Sequence, residues 1–318
     1  MLPPFAVVFD TNAYRNLIHA LSQQDTDTRV RSLNDAEVAR GIQAFASPFV
    51  LVELFARLAD KSDAGYRDLR HAARAAWRHC ALEVDGAPRM AILADFESQL
   101  ARSVCDTELP DHRQLTDVLT TTAKRIGEAI ETDPLDDFAA IFDSVWQAAN
   151  EIRARFVSDL KDNVVLGINP AATDWAPLAA DPKKRKEAQT FVDSNEALDL
   201  LARALIVKAH ILAGLTPPLS STQQEAADVI SAFRVPLEMY NHIVRRIAGR
   251  DGSNMEKRKR SNAVWDFNIS FAIGPTQRVN GLPVVMITDD GGIRYAAQRA
   301  GCAQHVMDLN TYLQFVAV

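Results

Sequence analysis

Residues 5–17, FAVVFDTNAYRNL, decide how the chain is read. The apolar run FAVVF has the length and continuity of a buried central strand. It breaks at Asp10, after which Tyr14, Leu17, Ile18 and Leu21 recur at helical spacing. A carboxylate at the carboxyl end of such a strand stands on the rim of an open α/β sheet, where ligands bind.

The pattern repeats near the other end of the chain. PVVMI at 283–287 is a second short apolar run, followed by Thr288, Asp289, Asp290 and Gly291-Gly292. A helical pattern then runs to Ala300, with Gly301 in the C′ position. In a parallel sheet the two strand ends share one rim, so Asp10 meets Asp289 or Asp290 there. Residues 41–46 read as a further strand, and Ser47-Pro48 start a helix as N-cap and first-turn proline. That helix carries Glu53 amid Val52, Phe55 and Leu58. Another helix, expected over 264–273 and ended by Gly274-Pro275, carries Asp266 in NAVWDFNISFAIG. Apolar flanks press both helices against the sheet, so each acid must find a partner or be costly to bury.

Between these parts the character changes. Residues 22–35 are polar and read as a loop. From about 62 to 255, alanine, leucine and charged residues recur at helical spacing. Phe138, Ile141, Phe142, Val145, Trp146, Ala149, Ile152 and Phe156 form one apolar stripe; Leu198, Leu201, Leu205, Ala209 and Leu212 form another. Loops are expected near 85–88, 169–182 and 216–221, and a short strand near 305–307 precedes a last helix over 310–315. The expected architecture is α/β with a central parallel sheet, built from 1–62 and 256–318, with 63–255 as a large all-helical insertion.

Composition sets bounds on partners. The chain has 318 residues, 47% hydrophobic and 24% charged, with a formal net charge of -6. A field of that sign does not attract nucleic acid, so such a partner requires local basic patches. Two exist: Lys183–Lys186, and Lys257, Arg258, Lys259 and Arg260, just ahead of the Asp266 helix. The second is placed to hold backbone phosphates, with Asn262 one turn before Asp266 on the same face. Cys80, Cys105 and Cys302 are widely spaced and odd in number, as in a reduced, cytoplasmic chain. No signal-peptide pattern opens the sequence. The most apolar long stretch, 197–215, contains Asp199, Arg203, Lys208 and His210, which rules it out as a membrane span. The histidines are scattered without HxxxH, so zinc is not expected; His79 with Cys80 reads as a core or surface pair. Asp193, Glu196 and Asp199 read as a solvated helix face.

Four carboxylates in one pocket repel one another, by about 4 kcal/mol per pair at ~4 Å and an effective dielectric of ~20. Partial protonation or a bound cation relieves this. An all-oxygen donor set selects Mg2+ or Mn2+, and acid-held magnesium with open water positions suits phosphodiester hydrolysis.

In order and context these motifs resemble the PIN domain, the fold of many Mg2+-dependent ribonucleases. The family pattern is a strand ending in Asp-Thr/Ser-Asn/Ser, a helical Glu, a helical Asp, and a late strand ending Thr-x-Asp. Asp10, Thr11 and Asn12 match the first motif, Glu53 the second and Asp266 the third. Thr288 through Asp290 match the last, with Asp289 as a stand-in for Asp290. The resemblance implies a three-layer α/β/α fold, and a site in which Asp10, Glu53, Asp266 and Asp290 hold the metal ions. Thr11, Asn12 and Thr288 would support them, and RNA, or else DNA, would be the substrate. The chain departs from the compact family pattern in the long stretch between Glu53 and Asp266. That insertion would cap the site, form a homodimer, or dock an antitoxin or other protein partner.

Two other functions compete. An inactive PIN-like scaffold would bind RNA or a protein through the inserted helices without cutting. A haloacid-dehalogenase-type phosphatase also begins with a strand ending in Asp and ends with a DD pair, but needs a second Asp where Asn12 stands. Neither GxGxxG nor GxxxxGK[ST] occurs, against a doubly wound nucleotide-binding enzyme.

Overall fold

The computed structural model describes residues 4–84, 86–162, 181–249, 254–257, 260 and 262–317. The fold is mixed α/β: a small sheet flanked by many helices, with a large helical region between its second and later strands. Strand β1 (Ala6–Phe9) is central and buried along its whole length. It pairs in parallel with β2 (Gln43–Phe45) on one side and with β6 (Leu282–Ile287) on the other. Strand β7 (Val306–Met307) continues the parallel set beyond β6, while β5 (Arg278–Val279) runs antiparallel to the start of β6. All four of its residues are buried, so both faces of the strand are covered, hence the unbroken AVVF run.

Among the described residues the helices, in chain order, are α1 (Thr11–Leu17), α2 (Gln23–Val38), α3 (Pro48–Arg57), α4 (Tyr66–Cys80), α5 (Phe96–Cys105), α6 (Asp111–Glu128) and α7 (Ala139–Leu160). They continue as α8 (Pro182–Val192), α9 (Asn195–Leu212), α10 (Gln223–Ile247), α11 (Ala263–Ile269), α12 (Gly291–Arg299) and α13 (Leu309–Val316). One large core joins the sheet to α1–α4, α6, α7, α11, α12 and part of α10; a smaller one lies between α5, α9 and α10. Gly127 permits the close passage of α6 over α4, because a Cβ there would lie 2.0 Å from the Trp77 ring. Pro236 lies inside α10 and denies its fourth preceding carbonyl, Ala232, a helical partner. The helix bends at Phe233, and the Ala232 carbonyl accepts instead from Gln277 Nε2 at 3.3 Å.

Three expectations are corrected. Residues 22–35 are not a loop: α2 starts at Ser22, whose hydroxyl caps Asp25 N–H, and buries Thr26, Val30, Leu33 and Glu37. Half of that buried stripe is polar, so hydrophobic periodicity does not reveal it. The inserted region is not all-helical: β3 (Ala81–Val84) and β4 (Ala87–Met90) form an antiparallel hairpin. Its mostly exposed β4 lacks an apolar face, and Gly86 adopts a left-handed φ of +75° at the turn. Trp146 does not join the buried stripe of α7, being 47% exposed. The loop expected over 169–182 falls almost wholly outside the described residues, as do Arg258 and Lys259. Among the described residues no helix is long and apolar enough to cross a membrane.

Candidate metal centre

Strand pairing brings the two terminal acids together. Asp10 follows β1 directly, and its backbone N–H donates to Ile287 O at the end of β6. Asp10 is also the N-cap of α1, with Oδ1 accepting from Ala13 N–H. Its other oxygen, Oδ2, accepts from the buried Thr288 hydroxyl. That hydroxyl in turn accepts from Asp290 N–H at 2.9 Å. Asp290 caps α12 through Oδ1, which accepts from Gly292 and Ile293 N–H at 2.7 and 2.9 Å. Its Oδ2 makes no hydrogen bond among the described residues. Asp289 is exposed and accepts from Asn16 Nδ2 at 3.0 Å.

The helical acids approach from the other elements. Glu53, on α3, accepts from Thr11 Oγ1 at 2.6 Å, tying the helix to the first residue of α1. Asp266, on α11, has no hydrogen-bond or ion-pair partner among the described residues. Burial pushes its carboxyl well above the usual carboxylate range, and Asp290, Glu53 and Asp10 push it further, against Arg246. Burial likewise raises Asp10 to about 6, with Asp290 and Glu53 adding to it against the hydrogen bonds from Thr288 and Ala13. Glu53 is raised by burial too, moderated by the Thr11 hydrogen bond and by Arg57, Arg15 and Arg153. The acids thus share one electrostatic field and are held in it by neutral hydroxyls and amides, not by hydrogen-bonded cations.

Whether this donor set suits a metal ion follows from its chemistry. The donors are all hard carboxylate oxygens, one of the acids has no other partner, and their mutual repulsion asks for positive charge. Among the described residues, however, no three His, Cys, Asp or Glu side chains are grouped closely enough to hold an ion as they stand. Asp10 is fixed through both oxygens and Asp290 through one. Asp266, Asp290 Oδ2 and the second oxygen of Glu53 make no hydrogen bond among the described residues. The donor types are those that Mg2+ or Mn2+ takes, while the acids as placed do not form a site among the described residues.

Other expected residues lie nearby or apart. Thr11 and Thr288 are buried beside the acids; Asn12 is exposed. Asn262 is exposed at the start of α11 and lines a polar cleft beside Glu53. Lys257 is exposed and Arg260 half-buried in the segment before α11. His79 is in the core, bonded to Glu37 and Tyr14, and takes no part in the site. Reading the sequence missed the arginines: Arg15 and Arg153 near Glu53, Arg57 one helical turn beyond it, and Arg246 near Asp266. Of these only Arg57 carries a local signal, its i, i+4 spacing from Glu53.

In comparisons with known proteins, no family model, no curated protein and no solved structure matches the chain.

Proposed function

We propose that this protein is a Mg2+- or Mn2+-dependent endoribonuclease of the PIN type, with its α/β part folded as the three-layer scaffold of that family. The observation that carries this reading is the unpartnered Asp266 carboxylate. Asp290, Glu53 and Asp10 lie near enough to raise its carboxyl, and Asp10 and Asp290 follow the carboxyl ends of adjacent parallel strands.

Asp10, Glu53, Asp266 and Asp290 would hold the ion. When bound, the ion supplies a more acidic water for attack at phosphorus and offsets charge on the scissile phosphate. The chain's own residues set the geometry. Thr288 fixes Asp10 and the loop that presents Asp290. Thr11 fixes Glu53, and Arg57, Arg15 and Arg153 surround it with positive charge that a substrate phosphate can meet. Hydrolysis would leave 5′-phosphate and 3′-hydroxyl ends. Incubating single-stranded RNA with the protein tests this reading. Cleavage that needs Mg2+ and disappears in Asp10→Asn supports it; full cleavage by that variant in EDTA refutes it.

The second reading is a scaffold that binds RNA or protein without cutting. It is favoured by the spacing of the acids, which lie too far apart to hold an ion without moving. A calorimetric Mn2+ titration separates the two, since a scaffold without a metal site shows no stoichiometric binding.

A further inference from the structure

We propose that helix α7 of the inserted region forms the second wall of the substrate cleft, and that it holds a single-stranded RNA by stacking one base on Trp146 beside phosphate-binding arginines. The proposal rests on the nuclease reading above and extends it to substrate recognition.

A polar cleft of about 430 Å³ opens beside Glu53. One wall comes from the α/β part, with Arg57 on α3 and Asn262 at the start of α11. The facing wall is α7, which presents Trp146, Asn150 and Arg153. Those three positions are spaced by four and three residues, so they lie on one face of the helix. The same helix packs against α3, which fixes that face opposite Glu53.

Trp146 is the anomaly that needs an account. Trp77 and Trp265 are both buried, yet Trp146 leaves 47% of its surface in solvent at the mouth of the cleft. An exposed indole beside guanidinium groups is the equipment of single-strand binding: the ring offers a stacking face to any base, and the cations follow the backbone. The Arg153 guanidinium is held in place, 5.8 Å over the Trp265 ring, and donates to Asn150 Oδ1 at 2.8 Å. Arg57 stands 3.6 Å from Asp63 in a partly exposed pair. Such a pair contributes little and can be exchanged for a phosphate. Glu53 and Asp63 also line the cleft and balance its two arginines, so it becomes complementary to a polyanion only where a phosphate displaces Asp63 from Arg57, and the solvent-facing indole carries the recognition. A single strand has unstacked bases to offer this wall; a duplex does not.

The test measures binding in the Asp10→Asn background, which keeps the RNA intact. Fluorescence anisotropy follows a labelled single-stranded oligoribonucleotide titrated with the full chain in Mg2+. Trp146→Ala should weaken binding by about 5- to 100-fold, the range of one base–aromatic stack, while Trp146→Phe retains most of the affinity. A duplex of the same sequence should bind all three proteins alike. Thermal unfolding midpoints close to the parent's show that the loss is local, and quenching of tryptophan emission by the bound strand in the parent, absent in Trp146→Ala, gives a second readout on folded protein. Equal single-strand affinity in Trp146→Ala overturns the proposed wall and leaves the nuclease reading standing if the wild type cuts RNA. A wild type that neither binds nor cuts RNA overturns both.

Discussion

The Thr288 hydroxyl donates to Asp10 across 278 positions of the chain. The same oxygen accepts from Asp290 N–H. One buried hydroxyl therefore fixes both strand-end acids, and its loss should be felt at the site before it is felt in the fold. Thr288→Val keeps the shape and removes the hydrogen bonds. We expect metal affinity or cleavage to fall by about 10- to 100-fold, the usual cost of losing a group that orients a ligand. Stability should fall by only about 1–2 kcal/mol. Parallel Mn2+ titration and urea unfolding measure the two effects.

Asp266 should be a liability to the metal-free fold. It is raised by burial and by three neighbouring acids, and nothing among the described residues hydrogen-bonds to it. Asp266→Asn removes the charge at nearly constant volume. The variant should unfold at a higher temperature than the wild type in EDTA at neutral pH, and lose at least 100-fold in cleavage. A lower midpoint in EDTA would show that Asp266 has a stabilising role that the structure does not contain.

The metal-free protein should also lose stability as pH rises through a defined window. Asp10 titrates at about 6 in the fold, mainly because it is buried, and at 3.8 in the unfolded chain. Between those values the folded state holds the extra proton, so the Asp10 contribution to unfolding free energy falls as pH rises from about 4 to 6, and Asp266, raised further, carries the loss to higher pH. The Asp10 contribution alone is roughly 3 kcal/mol. Mg2+ should restore what is lost, and its binding should release protons in that range. Unfolding midpoints with and without Mg2+, from pH 4 to 8, check both signs.

A separate buried network should lose stability in the same direction, but at higher pH. His79 Nε2 lies 2.9 Å from Glu37 Oε2, and Tyr312 donates to Glu37 Oε1 at 2.5 Å. Burial opposes charge on His79, but the Glu37 carboxylate lifts it to about 10. That contribution is complete below about 6.5 and disappears as pH rises through about 10. Glu37→Gln should cost roughly 3–5 kcal/mol near pH 6.5, as expected when one member of a buried pair is removed. The gap to wild type should narrow toward pH 10 in urea unfolding; a constant gap would contradict a charged His79.

These groups differ in how far the sequence reveals them. The strands around Asp10 and Asp290 are legible because buried parallel strands are continuous apolar runs, and the acids that follow them are helix caps. Glu53 and Asp266 are legible as acids set in apolar helices. Helix α2 is hidden because its inward face includes Thr26 and Glu37, and Glu37 is made tolerable by His79 and Tyr312, which lie elsewhere in the chain. The role of Trp146 is hidden for the converse reason: it continues the apolar period of α7 but points to solvent beside Glu53. Periodicity reports that a helix has an apolar face; only the packing of α7 on α3 decides which of those positions is left uncovered.

A crystal structure of the protein soaked in Mn2+, with anomalous scattering recorded, tests the metal centre most directly. The account predicts an ion bound by oxygens of Asp266, Asp290 and Glu53 at roughly 2.0–2.2 Å, with Asp10 beside it, and the three freer carboxylates turned inward from their present spacing. Full Mn2+ soaking that leaves these acids without an ion, still apart and still in their present rotamers, would contradict it.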